Sequence, residues 1–281
     1  MSKLMIIPSS LKMIEETLKE VDAYLIGVEQ FSVNLPIAFS MEEIIAIDDL
    51  LKANHKELFI SLNKNMFNED IEGLKEILLQ LEKLSVKAIF FYDIAIVNLK
   101  KKLNLKTDLV WSQEHFTTNY QTVNYWYDKG VNYTRISNEI MLKEILEIKK
   151  NTNSKLIVPI FGYIPMFASK RRLVQNYKNY FKLKDNSNIY YMKNEGAEYP
   201  LVEQKEGTYV YYSKVLNGKK YKKELEKAGI EYLLFNSFLI DSFSTIIKLF
   251  QMENTEEEIN KLVDIPTDDA FFDKGTIYKV K

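Results

Sequence analysis

A basic and aromatic segment in the second half of the chain has the residue types that bind nucleic acid or small anions. The segment Ile164–Lys184 contains six basic residues, four aromatic residues and no acidic residue. Two of the three arginines of the protein are adjacent there, and a guanidinium group forms paired hydrogen bonds with phosphate or carboxylate. Aromatic rings among basic residues also suit base stacking on RNA, and a solvated face of an inserted helix is the alternative. The candidate ligand- or RNA-binding residues of this segment are Ser169, Lys170, Arg171, Arg172, Asn176 and Tyr177.

The segment Trp111–Trp126 is a second dense group of polar and aromatic side chains. It contains both tryptophans, a carboxylate, a histidine and a run of hydroxyl and amide side chains. Glu114 and His115 do not form an acid–base pair, because adjacent side chains on an extended strand end point apart. A helix N-terminus capped by Thr117 or Thr118, with aromatic packing behind it, is the alternative to a binding role. The candidate ligand- or RNA-binding residues here are Trp111, Glu114, Thr118 and Asn119.

Polar residues also follow most of the short apolar runs of the sequence. In a parallel barrel the active face forms where the strands end, so these residues would gather on one side of the molecule. Glu29 and Asn63 are the candidate binding residues from this group, and ordinary capping of strand ends is the alternative. The strand-end group also includes Glu114, which is described above. Its other members are Ser9, Ser10, Glu29, Gln30, Asn63, Asn65, Asp93, Gln113, His115, Ser137, Gly162, Tyr163 and Asn236.

Several kinds of chemistry are excluded by what the chain lacks. It contains no cysteine, which rules out disulfides, a thiol nucleophile, cysteine-bound zinc and an iron–sulfur cluster held by this chain. Two histidines, His55 and His115, leave little for a histidine-built metal site. The sequence has no glycine-rich phosphate loop, no HExxH motif and no G-x-S-x-G motif. No enzyme class follows from the residues alone.

The elements that would position these side chains alternate between apolar runs and amphipathic stretches. Eight runs are apolar throughout and are spaced by about 20–30 residues, which is typical of parallel strands joined by crossover helices. Eight such units predict a closed TIM-like (β/α)8 barrel, with an open doubly wound sheet as the alternative. The predicted strands are Leu4–Ile7, Ala23–Val28, Glu57–Asn63, Lys87–Asp93, Leu109–Ser112, Asn132–Ser137, Lys155–Gly162 and Glu231–Ser237.

Helices are predicted between several of these strands, and the clearest start is a capping box of Ser40 and Glu43. The first predicted helix ends at Glu20. The others cover Met41–Asn54, Glu69–Leu84, Asn138–Lys150, Lys219–Ala228, Leu239–Phe250 and Glu253–Val263. The regular alternation stops at about residues 163–218, which we interpret as an insertion after strand seven. We therefore expect one barrel domain over residues 1–250, with a C-terminal extension over residues 251–281 packed on it.

Composition and charge restrict the cellular context. The 281 residues carry a net charge of −1, so any binding to nucleic acid must come from a local patch. Neither a signal peptide nor a run of 18 apolar residues is present, and we expect a cytoplasmic protein without membrane association.

Five stretches together resemble peptidase family U32, the collagenase-like proteases. They are GVEQ, SLNKNMFNED, VWSQEHFTTNYQTVNYW, FGYIPMFASKRRLVQNY and IPTDDAFFDKGTIY. The resemblance covers nearly the whole chain. It rests most specifically on Thr118–Asn119, on Ser169–Lys170–Arg171 and on the paired phenylalanines near the end. The chain is similar to the short member of a pair of such proteins found side by side in Gram-positive bacteria.

This resemblance implies a barrel and, for some relatives, prephenate-dependent hydroxylation of the wobble uridine of tRNA. Other relatives act as a heterodimer in ubiquinone hydroxylation. These relatives hold an iron–sulfur cluster through cysteines, some of which follow a His-Gly pair at the end of strand seven. Here that position reads Phe161–Gly162, and no cysteine follows. We expect no cofactor on this chain, prephenate-derived chemistry only through a partner, and a cysteine-containing paralogue and tRNA as partners.

Three functions remain open from the sequence. The preferred one is a cluster-free accessory or RNA-binding subunit in tRNA wobble-uridine hydroxylation. The second is a hydrolase of the collagenase-like type, although no nucleophile is identifiable. The third is a barrel that binds a small anion without catalysis.

Overall fold

The computed structural model describes residues 1–184, 187, 189–205, 207–263 and 265–274. Its strands are β1 (Lys3–Ile7), β2 (Ala23–Val28), β3 (Ala38–Phe39), β4 (Glu57–Ser61), β5 (Val86–Phe91), β6 (Asp108–Ser112), β7 (Tyr133–Arg135), β8 (Lys155–Ser169), β9 (Ile189–Asn194), β10 (Ala197–Gln204), β11 (Gly207–Asn217), β12 (Tyr232–Asn236) and β13 (Thr267–Asp268). Its α-helices are α1 (Leu11–Thr17), α2 (Met41–Ala53), α3 (Ile71–Leu81), α4 (Ile94–Leu103), α5 (Tyr120–Asp128), α6 (Leu142–Lys150), α7 (Leu173–Phe181), α8 (Lys222–Lys227), α9 (Phe243–Gln251) and α10 (Glu256–Leu262). Short 3₁₀ turns cover Asn68–Asp70 and Lys219–Tyr221.

Eight parallel strands close into a barrel, as the spacing of the apolar runs predicts. They follow the order β1, β2, β4, β5, β6, β7, β8 and β12. The last strand, β12, pairs in parallel with both β8 and β1, so the sheet has no free edge within the barrel. The prediction of a closed barrel is confirmed, and the open doubly wound sheet is wrong.

The barrel interior is filled by alternate residues of every strand. Phe59 of β4 lies at its centre and makes edge-on contacts with Phe90, Tyr133 and Tyr232 at centroid distances of 6.0, 6.0 and 5.2 Å. The remaining strand residues pack outward against the helices, which is why the strands read as continuous apolar runs in the sequence.

The N-terminal end of the barrel is closed by a carboxylate network. Glu57 accepts hydrogen bonds from the Tyr232 hydroxyl at 2.7 Å and from Lys3 Nζ at 2.9 Å. Burial acts to raise the pKa of the Glu57 carboxyl, but these hydrogen bonds and the charge of Lys87 outweigh it, so the pKa lies below its usual value. Functional side chains are therefore left to the opposite end of the barrel.

Strand β8 does not stop at the barrel rim but continues outward to Ser169. Its outer half pairs in antiparallel fashion with β11, and β10 and β9 extend that sheet. We call residues 163–217 the arm; within it, α7 packs next to β11. Gly162 marks the point where β8 leaves the barrel: its φ is 115°, and a Cβ there would lie 2.3 Å from the Asn236 carbonyl oxygen.

Some predicted helix boundaries are wrong, and each error has a local cause. Helix α6 begins at Leu142 rather than Asn138, because Ser137 turns back to accept a hydrogen bond from the Glu139 amide. Helix α4 was not predicted, whereas α5 and α7 correspond to helices that were given only as alternatives for their segments. Helix α5 is capped by Asn119, whereas the Thr117 hydroxyl is buried and donates to the Gln113 carbonyl.

The C-terminal extension is fixed to the barrel as far as Lys274, and Gly275–Lys281 lie outside the described residues. The Asp269 carboxylate accepts a hydrogen bond from the Tyr221 hydroxyl at 2.7 Å and lies 2.8 Å from Lys220 Nζ. Phe272 packs on the Tyr221 ring at a centroid distance of 5.0 Å. None of the helices in the described ranges combines the length and the hydropathy needed to cross a membrane.

Candidate functional site

A cleft of about 550 Å³ lies over the C-terminal ends of β4, β5 and β6 and is bounded on its far side by the arm. The strand ends contribute Asn63 and Glu114 to its lining, and the arm contributes Ser169 and Lys170. Four residues predicted from three distant parts of the sequence therefore meet in one cavity. Its position agrees with the location of ligand sites in parallel barrels.

One of the residues that line the cleft, Glu114, forms an ion pair. Glu114 Oε1 lies 2.6 Å from Arg135 Nη1, and Arg135 Nη2 lies 3.4 Å from Asn138 Oδ1. Arg135 is the last residue of β7, and its side chain is 11% exposed. Burial raises the pKa of the Tyr92 phenol to about 12, and the negative charge of Glu114 adds to this effect.

A smaller cavity of about 30 Å³ lies beside the cleft and shares Asn34, Asn63, Ser112 and Glu114 with its lining. Arg135 and Asn138 also line this cavity. Two of their donors, Arg135 Nε and Asn138 Nδ2, are buried without a hydrogen-bond partner in the described part of the chain. The cleft thus has an inner polar recess.

Asn63 positions the loop that borders the cleft. Its side-chain oxygen accepts from the Val33 amide at 2.9 Å, and its side-chain nitrogen donates to the Val33 carbonyl at 2.9 Å. The neighbouring Asn34 accepts a hydrogen bond from the buried Tyr211 of the arm. Because both polar atoms of Asn63 are already bonded, its role in this structure is to join the loop to the barrel.

The arm reaches across the cleft to a loop of the barrel. Lys170 Nζ lies 4.1 Å from the centre of the Phe67 ring, which is 53% exposed. Ser169 supports this turn, because its hydroxyl accepts from the Arg171 amide at 3.2 Å. The cation–π contact closes one side of the cleft.

The two adjacent arginines have different surroundings. Arg172 Nε lies 3.4 Å from Glu203 Oε1, and Glu203 also accepts from the amides of Val174 and Gln175 at the start of α7. Arg171 is exposed. Internal pairing of these arginines with Glu29 or Glu114, an arrangement that the sequence leaves open, is not found; Glu114 pairs with Arg135 instead.

Helix α7 has no buried residue. Its exposed aromatic side chains include Tyr177 and Tyr180. The ring centroids of Tyr177 and Phe181 lie 4.6 Å apart, and Tyr180 is 81% exposed. Asn176 is also exposed on this helix. An inserted helix, the alternative left open for this segment, is therefore present, and aromatic side chains lie exposed on it.

Eight predicted site residues lie outside the cleft lining: the four arm residues Arg171, Arg172, Asn176 and Tyr177 described above, and four residues of the barrel. Trp111 points into the helix layer, where it stacks on Trp126 at 4.4 Å. Glu29 and Thr118 are exposed on loops, and the Asn119 side chain caps α5 by accepting from the Thr122 amide at 3.0 Å.

Acid–base groups in the cleft are few. His115 Nδ1 lies 3.1 Å from Glu139 Oε1, and among the described residues no serine or threonine hydroxyl is hydrogen-bonded to His115. The described residues contain no group of three or more metal-ligating acidic or histidine side chains.

An iron–sulfur cluster does not fit the residues around Gly162 in β8, which is the predicted strand seven. Phe161 is buried against Phe235 and Phe250 at centroid distances of 6.3 and 5.6 Å, and the sequence offers no thiolate. This apolar cluster joins β8, β12 and α9.

Arg135 is the functional candidate that sequence reasoning missed. The available signal was its rarity, because it is one of three arginines in a lysine-rich chain and lies in the predicted strand Asn132–Ser137. Only Ser137 was selected there, since the end of that strand was placed two residues too late.

Comparison with known proteins places this geometry in a family. The model of peptidase family U32 matches residues 10–242. The chain is 28% identical over 196 residues to tRNA hydroxylation protein P2 of Bacillus subtilis, covering 67% of this chain and 63% of that protein. It is 22% identical over 157 residues to tRNA hydroxylation protein P1 of the same organism, covering 56% of this chain and 37% of that protein. The alignments thus span less than two thirds of either relative. A solved U32 peptidase superposes with a TM-score of 0.52 at 15% identity, over 84% of this chain and 93% of that one, and shares the fold.

Proposed function

The chain belongs to peptidase family U32, and we propose that it is an accessory, RNA-binding subunit in tRNA hydroxylation at the wobble uridine. Its similarity to two proteins named for tRNA hydroxylation supports the pathway. The observation that carries the RNA-binding part is the exposed basic and aromatic surface of the arm. The lack of cysteine supports an accessory role, because this chain cannot bind the iron–sulfur cluster of the relatives.

The arm surface suits single-stranded RNA better than a generic anion. Its lysines and arginines provide charge for phosphates, and no acidic residue interrupts residues 164–184. Tyr177, Tyr180 and Phe181 are each more than half exposed, and rings of this kind stack on unpaired bases. Tyr177 and Tyr180 both pack against Phe181, so the rings form one exposed patch, and contiguous patches of this kind mark interaction surfaces.

The partner in this proposal is a second, cysteine-containing member of the family. Bacillus subtilis has two related proteins that are both named tRNA hydroxylation protein, P1 and P2, and this supports pairing of two paralogues. The cluster chemistry would then belong to the partner, and this chain would present the RNA.

Arg171→Ala tests the RNA surface. Because Arg171 is exposed, its loss should weaken tRNA binding without lowering stability, and the slope of log K against log salt should become shallower by about 0.7–0.9. Arg172→Ala should have a smaller effect on affinity, because Arg172 is already paired with Glu203. Lys101→Ala makes the same charge change on α4 and serves as the control. Filter binding of tRNA across a salt series measures all three.

The cellular role is tested by deleting the gene and measuring 5-hydroxyuridine in tRNA by mass spectrometry. We expect the modification to fall, and to return with the wild-type chain but less with Arg171→Ala. Affinity purification of the tagged chain should also recover a cysteine-containing paralogue. An unchanged level of 5-hydroxyuridine would refute the pathway, and identical salt slopes for Arg171→Ala and Lys101→Ala would refute the RNA surface.

A further inference from the structure

Strand β9 forms the outer edge of the arm. It pairs with β10 on one side and, within the described ranges, with no strand on the other. Two of its residues carry large exposed apolar side chains, because Tyr191 is 52% exposed and Met192 is 47% exposed. An open edge strand offers unpaired backbone groups to a further strand, and natural proteins normally blunt or cover such edges. The contacts of β9 therefore decide how much of its edge is available.

The turn after β9 determines which of its backbone groups face the open edge. Asn194 closes a two-residue turn whose central residues both have positive φ, 47° and 79°, as in a type I′ hairpin. The pair that closes such a turn is hydrogen-bonded, and hydrogen-bonded and non-hydrogen-bonded pairs alternate from there. Met192 thus bonds to β10, whereas Tyr191 and Lys193 direct their backbone groups to the open edge. Pro200, which lies opposite Tyr191 and has no N–H, agrees with this assignment.

The available part of the edge is short and symmetric. At its start the Ser187 hydroxyl accepts from the Ile189 amide at 3.2 Å and donates to the Ile189 carbonyl at 2.7 Å, so these backbone groups are already bonded. At its end the turn begins directly after Asn194. Residues 190–194 are left, and Met192 is the middle one. An antiparallel strand of the same sequence, related by a two-fold axis at Met192, would cover this stretch from end to end.

The same two-fold arrangement satisfies both the backbone and the charges of β9. Tyr191 would form a hydrogen-bonded pair with Lys193 of the second copy, and the reverse pair follows by symmetry. The two lysines would not face each other, and each would keep its own Glu198, which lies 2.7 Å away. The exposed Tyr191 ring would lie beside the aliphatic stem of the facing lysine. The open edge is therefore complementary to a second copy of itself.

We infer that β9 is a homodimer interface, at which a second copy of this chain adds its own β9 in antiparallel register centred on Met192. The sheets of the two arms then form one continuous sheet across the two-fold axis. This interface goes beyond the proposed function, which pairs this chain with a paralogue, and it does not depend on RNA binding by the arm.

The lack of cysteine in the chain makes a test of this register possible. Met192 faces Met192 of the second copy in a non-hydrogen-bonded pair, whose Cα atoms lie about 4.5 Å apart, within the range of a disulfide. Asn194, which is also exposed, lies roughly 13 Å from its counterpart and beyond that range. Mild oxidation should therefore cross-link Met192→Cys into a homodimer at least tenfold more than Asn194→Cys, as measured on non-reducing gels.

Tyr191→Pro tests the backbone hydrogen bonds of the interface. Proline removes the N–H that faces the open edge, and the pairing with β10 uses no N–H at this position, so the arm should still fold. Tyr191→Val removes the same ring but keeps the N–H, and it serves as the control. Sedimentation equilibrium of the RNA-free protein should show a wild-type dimer, and a dissociation constant at least tenfold higher for Tyr191→Pro than for Tyr191→Val.

If Tyr191→Pro does not fold, the comparison of the two cysteine variants decides. The inference would be overturned by a wild type that stays monomeric at the concentration of the cross-linking reaction, or by equal cross-linking of Met192→Cys and Asn194→Cys. Equal dissociation constants of the folded proline and valine variants, or cross-linking of Met192→Cys in a cell extract to a different protein and not to itself, would also overturn it. Arg171→Ala should dimerise like the wild type, which separates failure of this interface from failure of the RNA surface.

Discussion

Replacing Tyr232 with phenylalanine removes one hydrogen bond from the closed end of the barrel. Tyr232 is fully buried, and its hydroxyl donates to the Glu57 carboxylate at 2.7 Å. Such a bond to a charged group contributes about 1.5–3 kcal/mol. Because the Glu57 side chain is 22% exposed and also bonds to Lys3, water and lysine replace part of what is lost. We therefore expect the free energy of unfolding to fall by about 1.5 kcal/mol at neutral pH.

This loss depends on pH, because it requires an ionised Glu57. The folded-state pKa of Glu57 lies below its usual value of 4.5, so the carboxylate stabilises the fold fully above that value. The stabilisation disappears as the pH falls through the lower, folded-state pKa. The difference between wild type and Tyr232→Phe should therefore be constant near neutral pH and shrink below a pH of about 4.5.

Urea unfolding followed by tryptophan fluorescence measures both effects. Tyr133→Phe is the matched control, because Tyr133 is equally buried but its hydroxyl has Lys155 Nζ, at 3.4 Å, as its one hydrogen-bond partner among the described residues. We expect this control to lose less than about 1 kcal/mol and to show no dependence on Glu57 ionisation. Equal losses in the two variants, or a Tyr232→Phe effect that persists unchanged in acid, would refute the assignment of a charge-assisted hydrogen bond at this position.

Three further outcomes are expected. Gly162→Ala should lower the free energy of unfolding by about 2 kcal/mol or more, because φ is 115° and the new Cβ would lie 2.3 Å from a carbonyl oxygen. The control Gly130→Ala, which has open space around it, should lower it by about 1 kcal/mol, and thermal melts measure both variants. Asp269→Asn should destabilise the attachment of the C-terminal extension and lower the urea midpoint. Burial acts to raise the pKa of Asp269, but Lys220 and Tyr221 lower it to about 2. The decrease in the midpoint should therefore be complete above pH 3.8 and vanish as the pH falls toward 2. The isolated chain should not cleave casein or collagen, since His115 lacks a hydroxyl partner in the described ranges; cleavage that survives repeated purification and is lost in His115→Ala would contradict this.

The architecture was predictable because parallel strands leave a simple signature. Runs such as Ala23–Val28 are apolar at every position, since one face meets the barrel interior and the other meets a helix. The capping box of Ser40 and Glu43 likewise determines the start of α2 locally, and both of its hydrogen bonds form. Helix α7 was given only as an alternative, because none of its residues is buried and no buried stripe therefore marks it in the sequence.

The site was predictable only in part, because its side chains meet through tertiary contacts. Glu114 and Lys170 were recognised from their local surroundings, and both line the cleft. Arg135, the partner of Glu114, was not recognised, because it lies 21 positions away in the sequence. The two side chains meet because β6 and β7 are neighbours in the barrel. Trp111 shows the converse, because the same alternation that turns Ser112 toward the mouth turns Trp111 toward the helices.

Strand β8 joins the arm directly to the barrel wall, although its pairing shifts register on both sides of Gly162. Its fifteen residues run from the barrel wall to the tip of the arm as one strand, hydrogen-bonded on both sides of the barrel rim. At about 3.3 Å per residue, the number of residues in β8 is the main determinant of the distance from the mouth to the turn before α7. The length of the arm could change without altering which way its side chains face only in steps of two residues, because a single insertion would turn every outer side chain of β8 to the opposite face.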